Sequence, residues 1–271
     1  MSSRFAPALA WPLAVLLAVL SLGGLLVPAV YAREAPAWVL QARGQDWFDL
    51  LIIVPWLVIC GLGARTGSYR WRVLLAGTYA YLVYEVLIYV FAVHFNSLFL
   101  VYCGTLGLAA FGLIAAIDDL RHNRRALDRR VSHVVGAFLV ALGSVFALLW
   151  LAEDVPAMLT ARPPQSLVEV GLFTNPVHAL DLSFVLPAHI VVGLAVWHRR
   201  RSGELFAPIL LAFDVILSAS MAGMMIVIAL VGGEAPLPLI VMLVALTGAS
   251  AAMTVRVLYP RSVPAVVTLH H

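Results

Sequence analysis

The sequence predicts an all-α fold, a polytopic bundle of about eight transmembrane helices, and three observations carry that prediction. Apolar runs of roughly twenty residues follow one another along most of the chain, each long enough to cross a hydrocarbon layer of about 30 Å. Of the 271 residues, 63% are hydrophobic and 11% charged, with mean hydropathy +0.99, which leaves too little polar side chain to cover a soluble globule of this size. The third observation is that arginines gather in alternate breaks between the runs.

The first run covers residues 8–31, after Arg4. Its end, Val30-Tyr31-Ala32, satisfies a small-residue signal-peptidase rule, but the core of 8–27 exceeds a usual signal core and suits a retained first span. A polar stretch with Arg33, Glu34, Arg43 and Asp46 reads as a loop before a second span at 48–64, which Arg65, Arg70 and Arg72 close. Spans three and four, 73–93 and 98–117, form a hairpin that turns at His94-Phe95-Asn96-Ser97. Beyond the basic segment 118–130 lie a fifth span at 134–152 and the longest loop, 153–179, where Arg162-Pro163-Pro164 marks irregular structure. The sixth span, 180–198, ends in Arg199-Arg200-Arg201. Spans at 207–231 and 239–258 follow, separated by Gly232-Gly233-Glu234-Ala235-Pro236.

All 17 basic residues are arginine, and in this arrangement only Arg33, Arg43 and Arg162 fall on the poorer side. The positive-inside rule then puts both termini in the cytoplasm of a prokaryotic cell, with the protein integral to its cytoplasmic membrane. Topology therefore accounts for the pI of about 9.1, and no nucleic-acid partner is expected. No break is long enough for a second domain, so residues 1–271 read as one transmembrane domain. Cys60 and Cys103 lie at different depths and predict no disulfide.

Asp49-Leu50-x4-Pro55 and Asp181-Leu182-x4-Pro187 have the same spacing. Each opens a span that ends in arginine and precedes a span with one intramembrane acid, Glu85 in the first case and Asp214 in the second. Four spans separate the copies, which suggests a parallel 4+4 repeat with halves 1–117 and 134–258. Coincidence is the alternative, since these letters are common in an apolar chain flanked by arginines.

An acid near the bilayer centre costs about 2.5 to 3.5 kcal/mol on insertion scales, so Glu85 and Asp214 must face protein or a polar cavity. Glu85 lies twelve residues from the arginine-side end of its expected span and His189 nine residues from the opposite end of its own. At about 1.5 Å per residue they reach similar depths, so a Glu85 to His189 contact is geometrically allowed and would lower the cost of both. Glu85, His189 and Asp214 then form either a proton or cation route or a purely structural interhelical network. An outer-rim layer comprises Asp49, His94, Asn96, His178 and Asp181. Asp49 and Asp181 fall in the first turns of their expected spans, where carboxylates cap free N–H groups. His94, His178 and Asp181 contain the donors of a two-histidine, one-carboxylate set, but nothing in their spacing demands a metal and none is expected.

Pro55 and Pro187 are expected to kink their helices. Tyr81 and Tyr89 share a helical face with Glu85. Small residues, among them Gly104, Gly107, Gly223 and Gly248, suit close helix packing. No cofactor is expected: His94 and His178 lie at one surface, His133 and His198 at the other, His270 and His271 in the tail, and His189 is alone within the membrane. Enzyme motifs such as G-x-S-x-G and H-E-x-x-H are missing from the sequence, and the lack of lysine excludes lysine-dependent catalysis.

The two D-L-x4-P motifs, together with F-N-x-L-F-L-x-Y from Phe95 to Tyr102, resemble a loose group of prokaryotic multi-span membrane proteins. The resemblance covers residues 47–201 and beyond and implies architecture only, since the group has no assigned activity. Three functions fit the residues. One is a small-solute or ion transporter, proton-coupled through Glu85, His189 and Asp214. Another is a non-catalytic assembly or scaffold subunit, with a membrane-protein partner or a second copy of the chain. The third is a membrane enzyme or redox subunit acting on lipid or quinone at the outer rim. Lipid is the common partner of all three.

Overall fold

The computed structural model describes residues 5–259; Arg4, Arg261, His270 and His271 lie outside the described residues. Among the described residues every regular element is helical, and eight helices are long and apolar enough to cross a membrane, which fits an integral membrane protein.

Helix α1 (Phe5–Leu26) packs against α3 and α5 and is followed by a 3₁₀ turn, Pro28–Val30. The second span is composite: α2 (Pro36–Phe48), a π turn (Asp49–Ile53) and α3 (Val54–Arg65). Helices α4 (Tyr69–Ala92) and α5 (Phe99–His122) form the expected hairpin. After α6 (Arg129–Thr160) and the short α7 (Gln165–Val170), the sixth span is again composite: α8 (Pro176–Leu180), a π turn (Asp181–Val185) and α9 (Leu186–Trp197). Helices α10 (Arg201–Leu230) and α11 (Leu237–Leu258) complete the bundle.

Three spans begin or end well away from their expected limits, each for a local reason. The second starts at Pro36, whose fixed φ suits a first helical turn, and Gln45 and Asp46 turn inward to buried partners instead of forming a loop. The fifth continues through Glu153 to Thr160 and stops where Ala161 takes a left-handed conformation at φ 51°. The seventh begins at Arg201 because Glu204, buried in its first turn, pairs with Arg124 at 3.4 Å.

Two groups of helices meet along α10, which packs on α2 and α4 of the first group and on α9 and α11 of the second. Helices α6 and α9 cross at a glycine pair: a Cβ on Gly136 would stand 2.7 Å from the Gly193 carbonyl oxygen, and one on Gly193 would stand 2.9 Å from that of Gly136. Gly107 and Gly248 face open space, so the close packing expected at these two positions does not occur.

Arginines tie one end of the bundle together. Arg72 pairs with Asp119 at 2.9 Å, Arg125 lies 4.6 Å over the Tyr69 ring, and Arg70 donates to the Leu258 carbonyl at 3.1 Å. At the opposite end Arg33 donates to the Phe95 carbonyl, and Glu34 accepts the His94 backbone N–H at 2.7 Å. Asn96 accepts the Leu98 N–H at 2.8 Å and reaches the Tyr102 hydroxyl at 3.3 Å. The F-N-x-L-F-L-x-Y segment is thus a turn that leads into α5, with Asn96 tying the turn to the first helical residues.

Candidate functional site: two buried acidic networks

The first network joins Asp46, Asp49 and Glu85. Asp46 accepts from the Tyr31 hydroxyl at 2.8 Å and from the Tyr89 hydroxyl at 3.1 Å. Gly24 admits this arrangement, because a Cβ there would collide with the Asp46 carboxylate and the Tyr31 hydroxyl. Burial, and then the neighbouring Asp46 charge, push the pKa of the Tyr31 hydroxyl up, so it stays a donor. Asp49 is fully buried and accepts from Gln45 Nε2 at 2.9 Å, with the Tyr81 hydroxyl at 3.3 Å. Ser220 of α10 joins the group, 2.9 Å from the Tyr81 hydroxyl and donating to Gln45 Oε1 at 2.8 Å.

Glu85 lies beside Asp49 and Tyr81. Its residue is 6% exposed, and neither of its carboxylate oxygens, nor Asp49 Oδ2, meets a donor among the described residues. It lines a pocket of about 160 Å³ whose other walls include Trp38, Tyr84, Tyr89, Met221 and Met224. The direct donors to this network are neutral phenols, an amide and a hydroxyl. None of its three acids forms an ion pair among the described residues.

The second network joins Asp181, His189 and Asp214. His189 Nε2 lies 2.8 Å from Asp214 Oδ1 and its Nδ1 lies 2.7 Å from the Val185 carbonyl. A carbonyl only accepts, so Nδ1 carries hydrogen, and a second proton lies between Nε2 and the carboxylate. Whether drawn as imidazolium and carboxylate or as imidazole and acid, the pair holds one transferable proton in a site where the two side chains are 2% and 5% exposed. Asp181 accepts from the Trp150 indole at 2.8 Å, while its Oδ1 has no partner among the described residues. These residues line a second pocket of about 110 Å³, and Tyr84, Val177, Leu217 and Met221 belong to the walls of both pockets.

One backbone device positions both networks. In each D-L-x4-P motif the aspartate opens the π turn and its carbonyl accepts an N–H five residues on, from Val54 in one and Leu186 in the other. The proline then stands second in the following helix. A π turn inserts one residue and rotates the side chains flanking it, and such turns recur at functional sites.

These placements correct two expectations, the rim caps and the Glu85 to His189 contact, and add detail at the outer-rim histidines and the prolines. Asp49 and Asp181 are not caps at the rim, because helical segments precede them and their carboxylates make buried side-chain contacts. Glu85 does not pair with His189: α4 begins at Tyr69, so Glu85 lies sixteen residues, about 24 Å, from that end, and His189 meets Asp214 on the next helix of its own hairpin. His94 is held by Glu34 and His178 by Asp154, each at 3.0 Å, so the outer-rim histidines do not converge. Pro55 and Pro187 follow π turns instead of interrupting regular α-helix. Asp46, Gln45, Tyr31, Ser220 and Trp150 were absent from the expected set. Gln45 and Asp49 are four apart and Asp46 and Asp49 three, a shared face that becomes visible once residues 36–48 are read as helix.

Fold and site together define a helical integral membrane protein with two buried acidic networks side by side. No protein-family model matches the chain, and neither does any curated protein or solved structure.

Proposed function

We propose that the protein is a small-solute or ion transporter, proton-coupled, with its polar site between the two groups of spans. The observation that carries this reading is Glu85, a buried carboxylate without a donor in the wall of a pocket, next to a His189–Asp214 pair that holds a proton. Left ionised and empty, such a carboxylate has no compensation, so the site favours uptake of a proton or another cation. In this scheme Glu85 and Asp49 receive the cation and His189 with Asp214 stores or passes the proton. The intervening wall of Tyr84 and Met221 separates the two states of the cycle.

The helix neighbours support a parallel 4+4 repeat as the frame. Within the first four spans α1 packs on α3, α3 on α4, α4 on α5 and α1 on α5. The counterparts α6 on α9, α9 on α10, α10 on α11 and α6 on α11 occur in the last four. The two groups cross-pack as α10 with α2 and α4 with α8, which is also reciprocal. On this reading residues 1–271 form one transmembrane domain in a prokaryotic cytoplasmic membrane, its arginine-tied end and both termini in the cytoplasm. His94, Asn96 and His178 brace the outer turns.

Reconstitution into vesicles containing a pH-sensitive dye tests the proposal. Under an imposed inside-negative potential, proton entry should exceed that of protein-free vesicles and should fall at least about tenfold in Glu85→Gln and in Asp214→Asn, as expected for losing a charged relay group. Equal entry in wild type and both variants overturns the proposal.

A further inference from the structure

We infer that the pocket beside Glu85 binds a small organic cation, an ammonium bearing one compact apolar or aromatic substituent. This deepens the transport reading, on which it rests for its physiological consequence, and its chemistry comes from the walls of the pocket. Charge is the first argument. Asp46, Asp49 and Glu85 lie together with only neutral hydrogen-bonding partners, and both Glu85 oxygens and Asp49 Oδ2 lack donors among the described residues. A primary ammonium brings N–H donors to the two unpartnered Glu85 oxygens in the pocket wall, with the Asp49 carboxylate behind them.

The walls favour an organic over an inorganic ion. A hard metal cation needs several oxygen ligands, but the Gln45, Tyr81 and Ser220 oxygens are engaged with one another and most of the remaining lining is aromatic or apolar. Trp38, Tyr84 and Tyr89 put aromatic rings in the wall, which suit a cation, and Met221 and Met224 add adaptable thioethers suited to its substituent. Size sets the scale: a cavity of about 150 Å³ takes up benzene, and this pocket measures about 160 Å³. The neighbouring pocket differs in that both of its acids already have a side-chain partner, Asp214 the His189 imidazole and Asp181 the Trp150 indole.

Calorimetric titration of the purified full chain in detergent, with benzylammonium, its neutral isostere benzyl alcohol, and sodium chloride, tests this. Benzylammonium should bind saturably at one site per chain, and benzyl alcohol at least roughly tenfold more weakly, since it lacks the charge-assisted hydrogen bonds. Glu85→Gln should weaken benzylammonium by at least roughly tenfold. Met221→Trp, which adds bulk to the pocket wall and keeps all three acids, should also abolish binding, while Glu234→Gln on an exposed loop should leave it unchanged. Equal affinity for the alcohol, stoichiometric displacement by sodium, no saturable binding, or binding that survives both Glu85→Gln and Met221→Trp overturns the inference. If it is overturned while proton entry into vesicles still depends on Glu85, only the ligand class is lost; if that dependence fails too, the transport reading falls with it.

Discussion

The two acidic networks use one backbone device and compensate their charge in opposite ways. Each begins with an aspartate at the start of a π turn, six residues before a proline, and each receives a further acid from the next span. In the second half the acid from the next span, Asp214, is met by an imidazole, and Asp181 by an indole. The first half offers its acids only phenols, an amide and a hydroxyl, and leaves Glu85 without a donor. A buried acid with a basic partner is a closed structural unit with a proton inside it. One without such a partner carries the cost of burial uncompensated whenever it is ionised. The two networks thus share a backbone device and differ in the partners given to their acids.

The largest effect expected from breaking this contrast lies in the second half. His189→Leu removes the partner of a buried carboxyl and should lower the unfolding free energy by about 3 to 5 kcal/mol. Combining it with Asp214→Leu should recover most of the loss, because the uncompensated acid goes too. Glu85→Gln, by contrast, removes an acid that no group compensates, and should leave stability unchanged or raise it. Denaturant unfolding in detergent micelles, followed by circular dichroism, measures all three variants. Comparable losses from His189→Leu and Glu85→Gln would mean that the networks are compensated alike.

A smaller effect sharpens the contrast from the other side. Tyr81 contacts Gln45, Asp49 and Ser220, so Tyr81→Phe leaves several buried polar groups short of a partner and should cost about 1 to 3 kcal/mol in the same unfolding measurement. Trp150→Phe removes the single indole bond to Asp181 and should cost about 1 kcal/mol. If Trp150→Phe proves the costlier, neutral donors do not hold the first network together.

Much of this architecture is legible in the sequence. Twenty-residue apolar runs and alternate arginine clusters carry the count of eight, since lipid leaves a chain no other way to satisfy its backbone. Glu85 and Asp214 stand out by the cost of placing an acid in hydrocarbon. Residues 36–48 were unreadable as a span because Arg43, Gln45 and Asp46 lower their hydropathy, and only tertiary partners make that polarity tolerable. Pairing was illegible for a geometric reason. His189 lies eight residues from the end of α9, about 12 Å, and Asp214 thirteen from the start of α10, about 20 Å, yet their side chains touch. Helix tilt and staggered ends absorb the difference, so depth counted along one helix does not identify its neighbour.

The prolines provide the smallest and most discriminating effect. A proline second in the helix after a π turn lacks the N–H that would otherwise draw the turn back to α geometry. Leucine at the same position restores that donor, and whether the turn then collapses depends on what else holds it. Asp49 is held by Gln45, from its own helix, and by Tyr81, from the next, so Pro55→Leu should keep its π turn. Among the described residues Asp181 has only the Trp150 bond, made by a ring that also stacks on His178 at 4.2 Å. Pro187→Leu should therefore convert its π turn to α and swing Asp181 away from Trp150. Stability should move by less than about 1 kcal/mol in both, because the lipid-facing helices keep their packing. The readout is a difference ultraviolet spectrum with Trp150→Phe as the reference. Pro187→Leu should reproduce the indole shift caused by releasing the Trp150 N–H, and Pro55→Leu should give none. A collapse of the first turn with survival of the second would mean that the carboxylate contacts do not hold the π turns.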